Sequence, residues 1–92
     1  MLISVNNKDL YEISGYYDLS LLFRDFKDVP EEEIKLWVTT KCYSYKEGED
    51  WEQYISVFYM YLAMKAMDAL RAGHSFSFLN NGITRSIKAI EI

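Results

Sequence analysis

Apolar residues recur at helical spacing in the first third of the chain, just after Gly15. The positions i, i+3, i+4 and i+7 are occupied by Leu19, Leu22, Phe23 and Phe26. This spacing places the four side chains on one stripe of a helix. Asp18 precedes the stripe, and its carboxylate can accept a hydrogen bond from the free backbone N–H groups of a first helical turn. The pattern therefore predicts a helix that is capped by Asp18 and buries this stripe.

The longest predicted helix extends to Ala72, because neither Gly nor Pro interrupts the chain between Asp50 and Gly73. Asp50 and Gln53 have the spacing of a capping box, and Gly73 can adopt the left-handed conformation that ends many helices. Roughly 22 residues make a rod of about 33 Å at 1.5 Å per residue. Its middle, Val57 to Met64, is apolar on every side, and a sheet covers only one side. A second copy of the chain would supply the missing cover, which favours a twofold dimer.

Both ends of the chain carry the pattern of a β-hairpin. Near the N-terminus the run Leu2–Val5 is followed by two Asn residues, and the chain can return through residues 10–13. Near the C-terminus four apolar residues flank the turn Asn80-Asn81-Gly82, namely Phe76, Phe78, Ile83 and Ile87. Asn and Gly tolerate the positive φ angles of a tight turn, so we predict an antiparallel hairpin there.

The segment that follows the first predicted helix fits two structures. Asp28-Val29-Pro30-Glu31 has the order of a capping residue, an early proline and a first-turn acid, which predicts the start of a helix. In residues 34–43, a mostly apolar set of side chains alternates with a more polar set, as on the two faces of a strand. Ile34, Trp37 and Val38 would also share one face of a helix. We favour a short helical turn that leads into a strand.

These elements amount to an α+β fold, in which a small antiparallel sheet packs against one long helix and one or two short helices. The 92 residues have room for a single domain, residues 1–92. Half of the residues are hydrophobic, and eight Tyr, five Phe and two Trp supply large packing groups, so we expect a folded chain. A single cysteine, the absence of a signal-peptide pattern and the absence of a long apolar run predict a cytoplasmic protein.

Acidic residues are concentrated between residues 25 and 52. This segment holds nine acidic and four lysine residues, a balance of 9 − 4 = 5 negative charges in a chain of net charge −4, so the remaining residues sum to +1. Such a concentration predicts a surface for a basic partner, since long-range fields guide encounter and discrimination. The candidate binding residues are Asp25, Asp28, Glu31, Glu32, Glu33, Glu47, Glu49, Asp50 and Glu52.

No set of residues predicts a catalytic or metal site. Cys42 and His74 are the only thiol and imidazole, and a nucleophilic pair would need them within hydrogen-bond reach. One Cys and one His are too few for a soft metal site, and the run from Glu31 to Glu33 fans around a helix instead of converging. The ten Lys and Arg residues are dispersed, which argues against direct nucleic-acid binding. We therefore expect a protein that is not an enzyme and holds no metal or cofactor.

A chain of 92 residues that is acidic, rich in Tyr and without a recognisable site resembles the Arn family of T-even phage anti-restriction proteins. The resemblance extends over the whole chain and concerns length, charge and overall character. It implies a homodimeric DNA mimic in the host-cell cytoplasm, whose carboxylates stand where duplex phosphates would stand. The implied partners are DNA-binding host proteins, the McrBC restriction nuclease and the nucleoid protein H-NS. Duplex DNA carries one charge per roughly 1.7 Å of its axis, so mimicry by a chain of net charge −4 needs dimerisation or unusually good placement of the carboxylates.

Two other hypotheses fit the sequence. An interaction protein would block another host defence complex, for example a CRISPR effector, through Tyr-rich apolar contacts, since Tyr and Trp are favoured interface anchors. Several tyrosines fall in less regular segments and could ring the acidic region: Tyr11, Tyr16, Tyr17, Tyr43 and Tyr45. A small enzyme working through Cys42 or His74 is the third hypothesis.

Overall fold

The computed structural model describes residues 1–80 and 83–90 and has the predicted α+β fold. The strands are β1 (Leu2–Val5), β2 (Asp9–Glu12), β3 (Phe76–Asn80) and β4 (Ile83–Ala89). The helices are α1 (Tyr16–Phe26), α2 (Glu31–Lys41) and α3 (Ile55–Arg71), and a 3-10 turn, Trp51–Tyr54, leads directly into α3. The four strands form one sheet in the order β2-β1-β4-β3, with every neighbouring pair antiparallel.

The N-terminal hairpin is confirmed, and it pairs with the C-terminal one. Asn6 and Asn7 adopt left-handed backbone conformations, with φ angles of 53° and 57°, which lets β2 return beside β1. The Asn6 side chain accepts a hydrogen bond from the backbone N–H of Ser86 at 2.7 Å. Val5 lies opposite Ile87 in the adjoining strand. The two ends of the chain therefore build the centre of the sheet together.

The C-terminal hairpin is also confirmed. Phe76 lies opposite Ile87, and the register continues without a break to Asn80 opposite Ile83. The remaining turn residues, 81 and 82, lie outside the described residues. On the helical side of the hairpin, Phe23 stacks against Phe76 and meets Phe78 edge-on, with ring centres 6.3 and 5.5 Å apart.

Helix α1 is confirmed, but its predicted cap is wrong. The helix begins at Tyr16, and Asp18 lies inside its first turn. The Asp18 carboxylate reaches back and accepts hydrogen bonds from the backbone N–H and hydroxyl of Ser14, at 2.8 and 2.6 Å. These bonds lower the pKa of Asp18. The carboxylate thus stabilises the chain entering the helix.

Helix α2 overturns the prediction of a strand after a short helical turn. Ile34 and Val38, one turn apart, are buried, whereas Leu36 is 63% exposed. The observed burial therefore follows the helical spacing and not the alternation. The predicted cap is wrong as well, because Pro30 occupies the N-cap position and Asp28 instead pairs with Arg85 of β4.

The long helix is confirmed with a modified start. Asp50 accepts a hydrogen bond from the backbone N–H of Glu52 at 3.1 Å, which begins the 3-10 turn that precedes α3. Gly73 ends the helix with a φ angle of 82°, and the N–H of His74 bonds back to the carbonyl of Ala69 at 2.9 Å. No helix in the described part of the chain is both long and apolar enough to cross a membrane.

A single cluster of buried side chains joins the sheet to the helices. Helix α3 supplies Phe58, Ala63, Ala66, Met67 and Leu70, and α1 supplies Leu19 and Phe23. Helices α1 and α3 pack against each other, and α3 carries two fully buried small residues, Ala63 and Ala66. The sequence predicted that the middle of this helix, Val57 to Met64, would be buried on every side. In a single chain one side of α3 remains exposed to solvent.

Candidate functional site

The nine candidate acidic residues occupy four places in the fold. Asp25 lies on α1, Asp28 lies between α1 and α2, and Glu31 to Glu33 form the first turn of α2. The remaining four lie in the loop after α2 and in the 3-10 turn: Glu47, Glu49, Asp50 and Glu52. All are exposed except Asp28. Eight of the nine thus remain available to a partner.

Asp28 has a structural partner. Both of its carboxylate oxygens accept hydrogen bonds from the guanidinium of Arg85, and the second of these bonds measures 2.9 Å from Nη2 to Oδ1. The Asp28 side chain is only 12% exposed. The Arg85 guanidinium also lies 3.9 Å from the centre of the Phe26 ring. Because its charge is compensated inside the fold, Asp28 is not part of the exposed acidic surface.

The eight exposed carboxylates keep uncompensated charge. Within residues 1–80 and 83–90 there are two salt bridges, one between the N-terminal amino group and Glu12 and one between Arg85 and Asp28. Neither involves the eight exposed acids. We define this set, Asp25, Glu31, Glu32, Glu33, Glu47, Glu49, Asp50 and Glu52, as the acidic surface.

Two members of the acidic surface are held in place by hydrogen bonds. Glu49 accepts one from the backbone N–H of Lys46 at 2.7 Å and is also bonded by the Tyr54 hydroxyl, at 3.1 and 3.0 Å to its two oxygens. The bond to Glu49 raises the pKa of Tyr54, since the carboxylate favours the protonated phenol. Asp50 is fixed by its bond to the N–H of Glu52. These carboxylates are therefore preorganised by the loop.

The chain returns to α2 after the acidic loop. The 3-10 turn that carries Glu52 packs against α2. Ile55, the residue that follows this turn, lines the same cavity as Glu31. The acidic loop is thus followed by a turn that lies beside the helix whose first turn carries Glu31, Glu32 and Glu33.

Cys42 and His74 lie in different parts of the fold. Cys42 is half-buried beside Trp37 and Met64, in the groove between α2 and α3. His74 is exposed and borders a separate cavity with Leu70 and Lys88. The described residues contain no hydrogen bond from either side chain and no group of three His, Cys, Asp or Glu side chains placed to hold a metal ion.

An exposed apolar surface lies on the outer side of α2 and α3. Trp37 is its centre, with ring centres 5.5 Å from Phe58 and 5.0 Å from Tyr61. We define the apolar face by its exposed members, Leu36, Tyr43, Val57, Tyr61 and Met64, whose exposed fractions run from 38% to 103%. The sequence indicated the α3 members through the all-apolar middle of that helix. It missed Leu36, because the strand prediction left no reason to group it with them.

A second feature absent from the sequence analysis is a cavity of about 420 Å³ where α1, α2 and α3 meet. Arg24 and Lys27 border it, together with Tyr59. The sequence shows that Arg24 and Lys27 lie at the end of a predicted helix. It does not show that they border one cavity with Tyr59, because that depends on how α1 packs on α3.

Comparison with known proteins identified no match: no protein-family model matches the chain, and no curated protein and no solved structure is detectably similar to it.

Proposed function

We propose that this protein is a non-enzymatic DNA mimic, which presents its acidic surface to DNA-binding proteins and blocks their binding to DNA. The observation that carries the proposal is the acidic surface itself, eight exposed carboxylates without a salt bridge in the described part of the chain. DNA-binding proteins gain affinity by neutralising phosphates with Lys and Arg. Exposed carboxylates that lack a cationic partner compete for the same side chains.

The fixed positions of Glu49 and Asp50 support the proposal. Each accepts hydrogen bonds from the loop or the 3-10 turn, so less side-chain freedom is lost when a partner binds. The first turn of α2 adds three further exposed carboxylates, those of Glu31, Glu32 and Glu33. A restriction nuclease such as McrBC and a nucleoid protein such as H-NS are the partners proposed, in the cytoplasm of a host cell.

The proposal includes a homodimer joined through the apolar face. Two acidic surfaces repel each other, whereas the apolar face gains free energy when it is removed from water. Leu36 and Met64 are 63% and 53% exposed, and Tyr43 is fully exposed, an unusual accumulation of large apolar groups for a small monomer. Joining two copies there doubles the net charge to −8, twice the −4 of one chain.

Competition measures the proposed function directly. The protein is titrated into a preformed complex of labelled duplex DNA with McrBC or with H-NS, at low and at high salt. We expect release of DNA that weakens as salt increases, since the contacts are ionic, and no binding of the protein to DNA alone. Absence of release from both proteins at low salt would overturn the proposal for these partners.

Single charge reversals test whether the acidic surface contacts the DNA-binding partner. Glu32→Lys and Glu52→Lys each change one exposed member of the acidic surface that makes no side-chain hydrogen bond among the described residues. Asp68→Lys makes the same change on an exposed site of α3 outside it. By analogy with the loss of one phosphate contact, each of the first two is expected to reduce the salt slope of binding by about 1. Equal behaviour of all three variants would exclude the acidic surface as the contact.

The dimer is tested by sedimentation velocity of the wild type and of a Leu36→Glu/Met64→Glu variant. Both positions are exposed in one chain, so the change leaves the fold intact and introduces charge into the proposed interface. We expect a dimer for the wild type and a monomer for the variant. A monomeric wild type would favour the second candidate function, an inhibitor of another host defence complex, such as a CRISPR effector, that uses the apolar face. The apolar face is the observation that favours this second candidate.

A further inference from the structure

The cavity between the three helices has a polar rim and an apolar base. Arg24 lies in the last turn of α1, and Lys27 follows that helix in a left-handed conformation with a φ angle of 54°. Ile34 and Ile55 contribute apolar surface from α2 and α3. The volume of about 420 Å³ is within the range of cavities that hold small molecules.

Tyr59 lines this cavity and also a smaller one beside Tyr17 and Met60. Its side chain is only 5% exposed, and its hydroxyl has no hydrogen-bond partner among residues 1–80 and 83–90. The hydroxyl retains contact with solvent, since it is not among the fully enclosed polar atoms. The hydroxyl therefore remains accessible to a ligand that enters from solvent. A phenol with the ordinary pKa of 10.0 is protonated near neutral pH and can donate, and burial raises the pKa of Tyr59 further.

Two cations border the cavity with this donor. Arg24 is close enough to Tyr59 for its charge to oppose the effect of burial on the pKa of the phenol. Neither Arg24 nor Lys27 makes a salt bridge within the described part of the chain. Their position at the end of α1 complements the helix dipole, but this role leaves their N–H groups available for a ligand.

The beginning of α2 opens on the same cavity. Pro30 provides no side-chain cap, and the first N–H groups recorded in hydrogen bonds are those of Glu33 and Ile34, both to the carbonyl of Pro30. An uncapped helix N-terminus favours a bound anion. The Glu31 carboxylate, which also borders the cavity, opposes one. Asp28 also lies close enough to Tyr59 to raise the pKa of the phenol, but its charge is compensated by Arg85. The two cations therefore outnumber the one carboxylate at the cavity that has no cationic partner among the described residues, that of Glu31.

We infer that the cavity binds a phosphate monoester carried on a small apolar body. The phosphate lies between Arg24, Lys27 and the Tyr59 hydroxyl, and the apolar part packs on Ile34 and Ile55. A phosphate monoester carries close to two negative charges at neutral pH and offers several acceptor oxygens. It therefore matches two cations and a hydroxyl donor better than a carboxylate does. Glu31 belongs both to the acidic surface and to the border of this cavity, but the test of the cavity uses a small ligand and does not depend on competition with DNA.

Phenyl phosphate is the probe, and its binding to the full chain is followed by the amide NMR shifts of residues 24–34 and 55–59. We expect saturable shifts in these residues. Arg24→Gln is expected to weaken binding about tenfold, the loss typical of one charge-assisted hydrogen bond. Tyr59→Phe removes only the hydroxyl and should weaken binding with the fold retained, as shown by unchanged shifts in β1 and β4. Lys35→Gln, an exposed lysine outside the cavity, is the matched control for loss of charge.

Two further ligands test the contacts with the phosphate and the contacts with the apolar base separately. Benzoate carries the same ring with a single charge and should bind more weakly, and inorganic phosphate should lose the contribution of the apolar base. Glu31→Gln should tighten the binding of phenyl phosphate. Absence of saturable shifts, equal affinity for benzoate, or full affinity in both Arg24→Gln and Tyr59→Phe would overturn the assignment.

Discussion

Arg85 and Asp28 are joined by a two-pronged ion pair that connects strand β4 to the segment between α1 and α2, 57 positions apart in the chain. Arg85 also covers the ring of Phe26, the last residue of α1. The Asp28 bond raises the pKa of the guanidinium. The pair thus adds a polar attachment of the C-terminal hairpin to the helices, beside the apolar contact of Phe23 with Phe78, the residue opposite Arg85.

Asp28→Asn is expected to destabilise the fold by about 2 kcal/mol, because it leaves a partly buried guanidinium without its charged acceptor. Asp25→Asn, three positions earlier and exposed, should stay within about 0.5 kcal/mol of the wild type. Urea denaturation of the two variants provides the comparison. Equal effects would mean that the ion pair contributes nothing beyond ordinary surface charge.

Replacement of Arg85 by Lys tests the geometry of the pair. Lysine keeps the charge but lacks the planar fork and stacks less well on an aromatic ring. We expect a loss of about 1 kcal/mol relative to the wild type, measured in the same urea titration. A fully stable Arg85→Lys variant would show that charge alone accounts for the contact.

The bond between Tyr54 and Glu49 predicts a dependence on alkaline pH. The pKa of Tyr54 is raised above its ordinary value of 10.0, first of all by this bond. The protonated phenol is therefore favoured in the folded state, and its stabilising effect is complete below pH 10.0 and disappears as the pH rises through the folded pKa. In Glu49→Gln the pKa of Tyr54, followed by NMR of its ring, should fall toward 10.0. Glu47→Gln, in the same loop, should leave it unchanged.

Asp18 predicts the opposite dependence, at acidic pH. Its pKa is lowered from 3.8 by the hydroxyl and then by the backbone N–H of Ser14. Ionised Asp18 therefore stabilises the fold above pH 3.8, and this contribution is lost as the pH falls through the lowered pKa. Ser14→Ala removes the stronger of the two bonds and should raise the pKa of Asp18 in a carboxyl NMR titration. An unchanged value would assign the shift to another cause.

Substitution of Gly73 is expected to lower the stability of the fold through the backbone conformation alone. Its φ angle is 82°, and a Cβ atom at this position would meet nothing within 4 Å. Gly73→Ala is thus expected to lose about 1 kcal/mol through backbone strain alone, and Gly73→Asn less, since Asn tolerates this conformation. Gly15→Ala is the control, because Gly15 is extended and equally open. Thermal unfolding of the three variants distinguishes them, and equal losses at positions 15 and 73 would contradict the argument.

Local sequence patterns predicted the correct element wherever a segment fitted only one hydrophobic periodicity. The stripe on α1, the uninterrupted run into α3 and the strands on either side of the two Asn-containing segments each favoured one structure, and these helices and strand pairs were found. Residues 34–43 satisfied two periodicities at once. Burial of Ile34 and Val38 against α3 and the 3-10 turn decided for a helix, and a contact between distant elements is not visible in a local pattern.

An α+β set of elements, a long apolar helix and a concentration of acidic residues between positions 25 and 52 could all be predicted from the sequence. Which of these residues act together depends on the tertiary structure. It removed Asp28 from the acidic surface through Arg85, brought the turn that carries Glu52 against α2, and placed Arg24 beside Tyr59. The physical reason is that charge and spacing are properties of neighbours along the chain, whereas pairing, burial and cavities arise from packing between distant segments.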